Sequence, residues 1–200
     1  KIQALVSASG VSIYGTATSE HIFKESDTPS HFSNDFLGQV SLDWESAAKS
    51  LEQNTDKVYL LRTPIVLSEK GGALEKMTKP VKYGIGSPLG SGKQWMPWVH
   101  IDDLCQAYIN CIFNEIKAGT YNIAAADLPN NQIFTQTIAK VMGKSLWAPN
   151  VPSFVLKLLF GEMAKIVLEG SRVDGTKYLE SGGKYQYNDL EAALKSLLKK

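Results

Sequence analysis

Along the 200-residue chain, short unbroken apolar runs alternate with stretches in which apolar residues recur at helical spacing. Ile2 to Val6 is such a run, and it passes into the small polar loop Ser7-Ala8-Ser9-Gly10 and on to Tyr14-Gly15. An apolar run bounded by Ser and Gly suits a buried strand of a parallel sheet. Asp35 to Gln53 predicts a helix, because Phe36, Val40, Trp44, Ala47, Ala48 and Leu51 form one stripe expected to be buried. Ser33 or Asn34 is its candidate cap. Lys57 to Arg62 is the next strand, ended by Thr63-Pro64, and a helix follows from Gly72 to Tyr83. Gln94 to Val99 reads as a strand feeding a helix from Asp103 to Glu115, with Asp102 as its N-cap. Thr120 to Ala124 is a strand, and Asn130 to Met142 a helix closed by Gly143. The tail predicts a long amphipathic helix, Pro152 to Glu169, and a final helix, Asp189 to Lys199.

Strand and helix in alternation predict an α/β fold around a parallel sheet. A composition change near Leu128 to Asn131 divides it into residues 1–128, with substrate-side insertions at about 70–100, and a smaller α-rich part, residues 129–200. The most apolar run, Phe154 to Leu168, is interrupted by Lys157, Gly161, Glu162 and Lys165, so it is too short and too charged to span a bilayer. A net charge of +1 gives neither nucleic acid nor a membrane surface a strong electrostatic footprint. The two cysteines, Cys105 and Cys111, sit about 120° apart around one predicted helix, which disfavours a bridge and fits a reducing, cytoplasmic setting.

A parallel sheet binds its ligands beyond the carboxyl ends of its strands. Ser7, Ser9, Ser12 and Tyr14 fall there, although an ordinary Ser/Gly turn explains the same residues. Gly84-Ile-Gly-Ser-Pro-Leu-Gly-Ser-Gly-Lys93 imitates a phosphate loop but follows a helix and leads into a strand, the reverse of a dinucleotide loop. Gln94 also stands where a P-loop requires Ser or Thr, so a flexible turn is expected. His21 and His31 lie in the long polar loop from Thr16 to Ser33 without Cys or carboxylate at ligand spacing, and no metal site is expected.

Taken together, Ser7-Ala-Ser-Gly-Val-Ser-Ile-Tyr-Gly15, Glu25 with Pro29, Asp43-Trp-Glu45, Leu61-Arg62, and Gly90-Ser-Gly-Lys-Gln-Trp-Met-Pro-Trp-Val-His-Ile-Asp-Asp103 resemble a known family. They are similar to the extended short-chain dehydrogenases/reductases of the NAD(P)-dependent epimerase/dehydratase-like class. The tail stretches Gly161-Glu-Met-Ala164 and Gly170-Ser-Arg-Val173 point to the nucleoside-diphosphate-sugar epimerase subfamily whose short C-terminal domain has no assigned function. The resemblance implies the second half of a Rossmann-like doubly wound sheet with a small, mostly helical substrate-side domain. It also implies that the glycine-rich cofactor loop and the NAD-versus-NADP determinant precede the first residue here. The chain opens without Met, directly into a strand, as the middle of a longer protein would.

The resemblance assigns Ser7, Ala8, Ser9, Arg62, Thr63 and Pro64 to the NAD or NADP side, with no cofactor expected on this part alone. Tyr14, Gln94, Trp95 and Trp98 fall to a small-molecule substrate, a nucleotide sugar in this class, though buried aromatic residues are as readily core. Catalytic candidates are Ser9, His100 and Asp102, the last equally explained as a cap. The family's Tyr-x-x-x-Lys pair, in which a nearby cation favours the phenolate, falls on Leu37 and Ser41, so neither group is available. Two readings stay open: an epimerase or reductase with an atypical acid/base, and a dinucleotide-binding sensor or interaction protein without turnover. A half-sheet with an exposed edge also points to a homo-oligomer.

Overall fold

The computed structural model describes residues 2–15, 20–27, 36–55 and 57–199. Its centre is a parallel sheet of three strands, β1 (Leu5–Gly10), β3 (Val58–Thr63) and β6 (Gly119–Asn122), in the order β1-β3-β6. Ser9 lies opposite Arg62, and Arg62 opposite Asn122, so one row of polar residues crosses the sheet near the carboxyl ends of its strands. Two smaller parallel pairs flank it: β2 (Ile22–Phe23) with β7 (Arg172–Val173), and β4 (Ile65–Leu67) with β5 (Trp98–His100). Pro129, Asn130 and a single bridge from Trp95 anchor the chain before β5, so the strand expected from Gln94 is only three residues long. β1 begins three residues later than the apolar run suggested, and Ile2 is exposed. The hydrogen bond from Leu5 N–H to Lys57 carbonyl starts the ladder, and Ser7 and Ser9 therefore lie within the strand.

Helix α1 (Phe36–Lys49) buries Ala48 of the expected stripe but not Phe36, Trp44 or Ala47. Its buried residues are Gly38, Ser41, Glu45 and Ala48, at spacings of three and four, whereas Phe36 and Trp44 are exposed and face away. The cause is polar: the inward positions meet groups on β1 and β3 that need partners, and that requirement outranks the periodicity of the apolar side chains. The candidate caps Ser33 and Asn34, with Pro29 and His31, lie outside the described residues.

Helix α2 (Ala73–Lys82) leads to the glycine-rich segment, which forms an irregular loop pinned by a bridge between Leu89 and Val151. Helix α3 (Ile101–Ile112) starts earlier than expected. Its N-cap is His100, whose Nδ1 accepts the Asp102 N–H at 3.1 Å, so Asp102 is not the cap. Helix α4 (Asn131–Val141) is capped by Asn130, as its Ile133 N–H bond shows.

The long tail helix is broken into α5 (Ser153–Phe160) and α6 (Ala164–Leu168). Gly161, at φ +57, ends α5 in the left-handed region, and a single 3-10 turn intervenes. After β7 come α7 (Thr176–Glu180) and α8 (Leu190–Leu198), the latter capped by Asp189.

The buried apolar residues fall into three clusters. Leu67, Leu74, Trp98, Phe134 and Ile138 pack with Leu190 and Leu194 of α8. Tyr59, Leu61, Val99, Ala107, Tyr121 and Tyr178 form a second cluster. The chain after α6 crosses so close to the body that a Cβ on Gly175 would sit 2.1 Å from the Ala124 carbonyl oxygen. Gly175→Ala is expected to destabilise the fold by about 1–3 kcal/mol through overpacking. Urea unfolding checks this, and a midpoint equal to that of the unsubstituted chain would contradict it.

Candidate functional site

A strand that buries an arginine must supply it with a carboxylate, because an unpaired buried charge is costly. Arg62, near the end of β3, is 4% exposed, and Glu45 of α1 is 3% exposed. Arg62 Nε donates to Glu45 Oε1 at 2.7 Å and its Nη2 donates to Oε2 at 2.9 Å, a two-pronged pair. The Ser9 hydroxyl donates to the same Oε1 at 2.8 Å. The remaining guanidinium arm, Nη1, donates to the Tyr14 hydroxyl at 2.8 Å, and that phenol donates to Asn122 Oδ1 at 2.7 Å. Asn122 carries the chain onward: its Nδ2 donates to the Asp174 carbonyl, and its N–H to Glu25. Five buried polar side chains from β1, the turn after it, α1, β3 and β6 thus satisfy one another beneath the carboxyl edge.

The electrostatics follow from that geometry. Burial raises the Glu45 carboxyl, but the Arg62 hydrogen bonds and charge, helped by Ser9, outweigh it and hold the group below its ordinary range. Burial would lower Arg62, yet Glu45 and Tyr14 raise it. Burial pushes the Tyr14 phenol up to about 12 against the pull of Arg62, so it stays protonated at neutral pH. With both sides of its hydroxyl engaged and its ring stacked on Phe23, Tyr14 is built as a strut.

The other residues singled out from the sequence are dispersed. Ser7 and Ala8, with Trp44 and Leu51, line an apolar groove of about 360 Å³ along the β1 edge of the sheet. Thr63 donates back to the Leu61 carbonyl, and Pro64 is buried beside it. Trp98 is wholly buried in the core. Gln94, 1% exposed, donates to the carbonyls of Leu89 and Val167, while its Oε1 has no partner among the described residues. Trp95 carries the Arg172 guanidinium 4.6 Å over its ring, and the buried Arg172 Nε is also without a hydrogen-bond partner among the described residues.

His100 lies elsewhere. Its ring stacks on Tyr187 at 3.9 Å, and because Nδ1 accepts the α3 cap bond, Nε2 is left to donate to Ser196 at 3.2 Å. Burial lowers its pKa despite Asp102 and Asp103. Asp102 is exposed beside it. Sequence reasoning missed Glu45, Asn122 and Arg172. A charged Arg62 inside the apolar Tyr59-Leu60-Leu61 strand was the available signal, since it required a carboxylate on the helix above.

Comparison with known proteins places this arrangement. The NAD dependent epimerase/dehydratase family matches residues 1–124, and a domain of unknown function, DUF1731, matches residues 151–197. An epimerase family protein of Staphylococcus aureus is 38% identical over 167 residues, covering 82% of this chain and 55% of its own length. One from Staphylococcus haemolyticus is 38% identical over 166 residues, covering 82% and 54%. The chain therefore spans about half the length of the curated relatives it matches. The crystal structure of human epimerase family protein SDR39U1 with NADPH superposes with a TM-score of 0.88 at 32% identity, over 98% of this chain and 65% of that one. The nucleoside-diphosphate sugar epimerase of Corynebacterium glutamicum gives 0.75 at 26%, over 98% and 37%.

Arg62→Ala is expected to cost about 3–5 kcal/mol in unfolding free energy, since it strands the Glu45 carboxylate. Replacing both together, by Arg62→Met with Glu45→Leu, is expected to cost less than the single change. The Glu45 contribution is complete above its ordinary pKa of 4.5 and is lost as pH falls through the depressed folded value, so Glu45→Gln should flatten acid unfolding there. For His100 the folded state binds fewer protons than the unfolded, so stability drops as pH falls below 6.5. His100→Asn, which keeps a capping acceptor, should remove that step from a pH series of thermal melts.

Proposed function

The chain belongs to the NAD dependent epimerase/dehydratase family, and on that premise we propose that it is the substrate-side part of an NAD(P)-linked epimerase or reductase acting on a nucleotide sugar. The observation that carries this reading is the polar row Ser9–Arg62–Asn122 across the carboxyl ends of the parallel strands, fixed by Glu45 and Tyr14. It makes a rigid floor where such sheets meet their ligands. The bound NADPH of the human relative supports the cofactor class. NAD(P) would supply the hydride acceptor and donor.

The residues present fit one part of that cofactor. Thr63 and Pro64, at and just after the end of β3, suit the nicotinamide side, whereas Ser7 and Ala8 lie mid-strand along the β1 edge. No glycine-rich strand-to-helix turn for a pyrophosphate occurs among the described residues, and Gly84 to Lys93 leaves α2 for an irregular loop. Residues 1–128 are proposed as the cofactor-side unit and 129–200 as the substrate-side unit. Arg172 of the latter stacks over Trp95 of the former and so joins the two units.

A second reading, a dinucleotide-binding sensor without turnover, is favoured by Leu37 and Ser41 standing where the family's Tyr and Lys fall, and by Ser9 being committed to Glu45. Calorimetric titration of NADPH and NADH separates the readings when it is followed by a screen for hydride exchange. The titration uses this chain and a chimera in which it follows the N-terminal part of the Staphylococcus aureus relative. Binding by the chimera, with turnover of a nucleotide sugar, is expected. Binding without turnover would select the sensor, and no binding by either form would overturn both.

A further inference from the structure

A helix that is apolar all round belongs inside something. Helix α5, Ser-Phe-Val-Leu-Lys-Leu-Leu-Phe, buries only Leu156, and α6 after it buries only Ala164. Phe154 is 71% exposed and Leu158 84%, while Leu159, Phe160, Met163 and Ile166 are each at least half exposed. The segment is firmly rooted. Gly90 N–H donates to the Val151 carbonyl at 2.8 Å, and Val151 N–H donates to the Pro88 carbonyl at 2.9 Å. From that root α5 packs chiefly on the turn and the α6 helix that follow it. One exposed leucine needs no account, but large apolar side chains gathered within residues 154–166 mark an interface.

The charges on the segment select what covers it. Residues 152–169 hold two lysines, Lys157 and Lys165, and two glutamates, Glu162 and Glu169, so no net charge draws them to an anionic bilayer. Lys157 and Glu162 are exposed and have no ion-pair partner among the described residues. Five positions apart, they exceed the spacings at which side chains meet along a helix, and the turn at Gly161 lies between them. A second copy related by a two-fold axis meets both needs, because a contact from Lys157 to Glu162 of the other copy is then made twice. The surface is also of the right order. A standard interface buries about 800 Å² on each partner, and α5 with its turn brings six large side chains standing half or more in water.

We propose that α5 and the turn into α6 form a homodimer interface, in which two copies pack antiparallel about a two-fold axis near Leu159 and Phe160. Leu158, Leu159 and Phe160 make its apolar centre, and Lys157 stands opposite Glu162 of the other copy on either side. The contact uses neither the β1 edge nor any residue of the polar row across the sheet, so it stands apart from the NAD(P)-linked reading. It places self-association on the tail.

Sedimentation equilibrium of this chain and of the chimera described above tests it, and both are expected to dimerise at micromolar concentration. Leu158→Asp is expected to raise the dissociation constant about 100-fold with the far-ultraviolet circular dichroism unchanged, since Leu158 supports no packing within the monomer. Lys157→Glu and Glu162→Lys should each weaken the dimer about tenfold, because each sets like charges together twice. Both changes in one chain should restore it, and a mixture of the two single variants should pair more tightly than either alone. A dimer lost on Leu158→Asp but blind to these charge exchanges would overturn the antiparallel pairing. A monomeric chain would overturn the proposal, as would a dimer indifferent to Leu158→Asp but lost on Trp44→Ser, which puts the contact on α1. A dimeric chain with a monomeric chimera would overturn it too, because the N-terminal part would then cover the face. A monomer that floats with phosphatidylcholine vesicles, and ceases to as Leu158→Asp, would give the face to a bilayer instead.

Discussion

The buried pair of Arg62 and Glu45 is the interaction on which the rest of this structure depends. A guanidinium inside a sheet is tolerated only when its donors are met, and here they are met by two elements at once. Glu45 fixes the rotation of α1 about its axis. Tyr14 fixes the turn that follows β1. Together they determine which groups reach the carboxyl edge, and they do so with hydrogen bonds strengthened by charge. Such a pair adds little net stability over an apolar equivalent. What it supplies is a single admissible arrangement.

From that pair the order extends outward. Asn122 links the network to Asp174 and Glu25, so the edge strand β6, the loop carrying Glu25 and the segment after β7 share one set of hydrogen bonds. Ser171 adds a bond to the carbonyl of Gly15. The part of the chain that matches DUF1731 is in this way tied to the floor of the sheet by hydrogen bonds from buried side chains to backbone carbonyls. Arg172 and Trp95 stand next to that seam.

The fold class and the element order were legible from hydrophobic runs, and the family resemblance from the short motifs around Tyr14-Gly15 and Trp98 to Asp103. The orientation of α1 was not. Its apolar stripe at Phe36, Trp44 and Ala47 points outward because the inward face is chosen by what Arg62, Ser9 and Ser12 require, and periodicity has no access to partners far away in sequence. The α3 cap escaped for a similar reason. Asp102 satisfies every local rule, yet a stacked, buried His100 offers its Nδ1 one residue before the helix starts. The break at Gly161 was visible in the letters but was outweighed by the apolar run on either side. Of the site, Ser9 and Arg62 could be named early, while their mutual partner Glu45 became evident only in three dimensions.

The hydrogen-bonded chain of Ser9, Glu45, Arg62, Tyr14 and Asn122 has a consequence for how this sequence can diverge. Each member satisfies a buried polar group of another, so a neutral path through single replacements is narrow. Change at one position creates an immediate defect at its neighbour, and repair must come from the same set. The five should therefore behave as one inherited unit, exchanged in concert or retained together. The outward face of α1, by contrast, carries Phe36 and Trp44 outside this network.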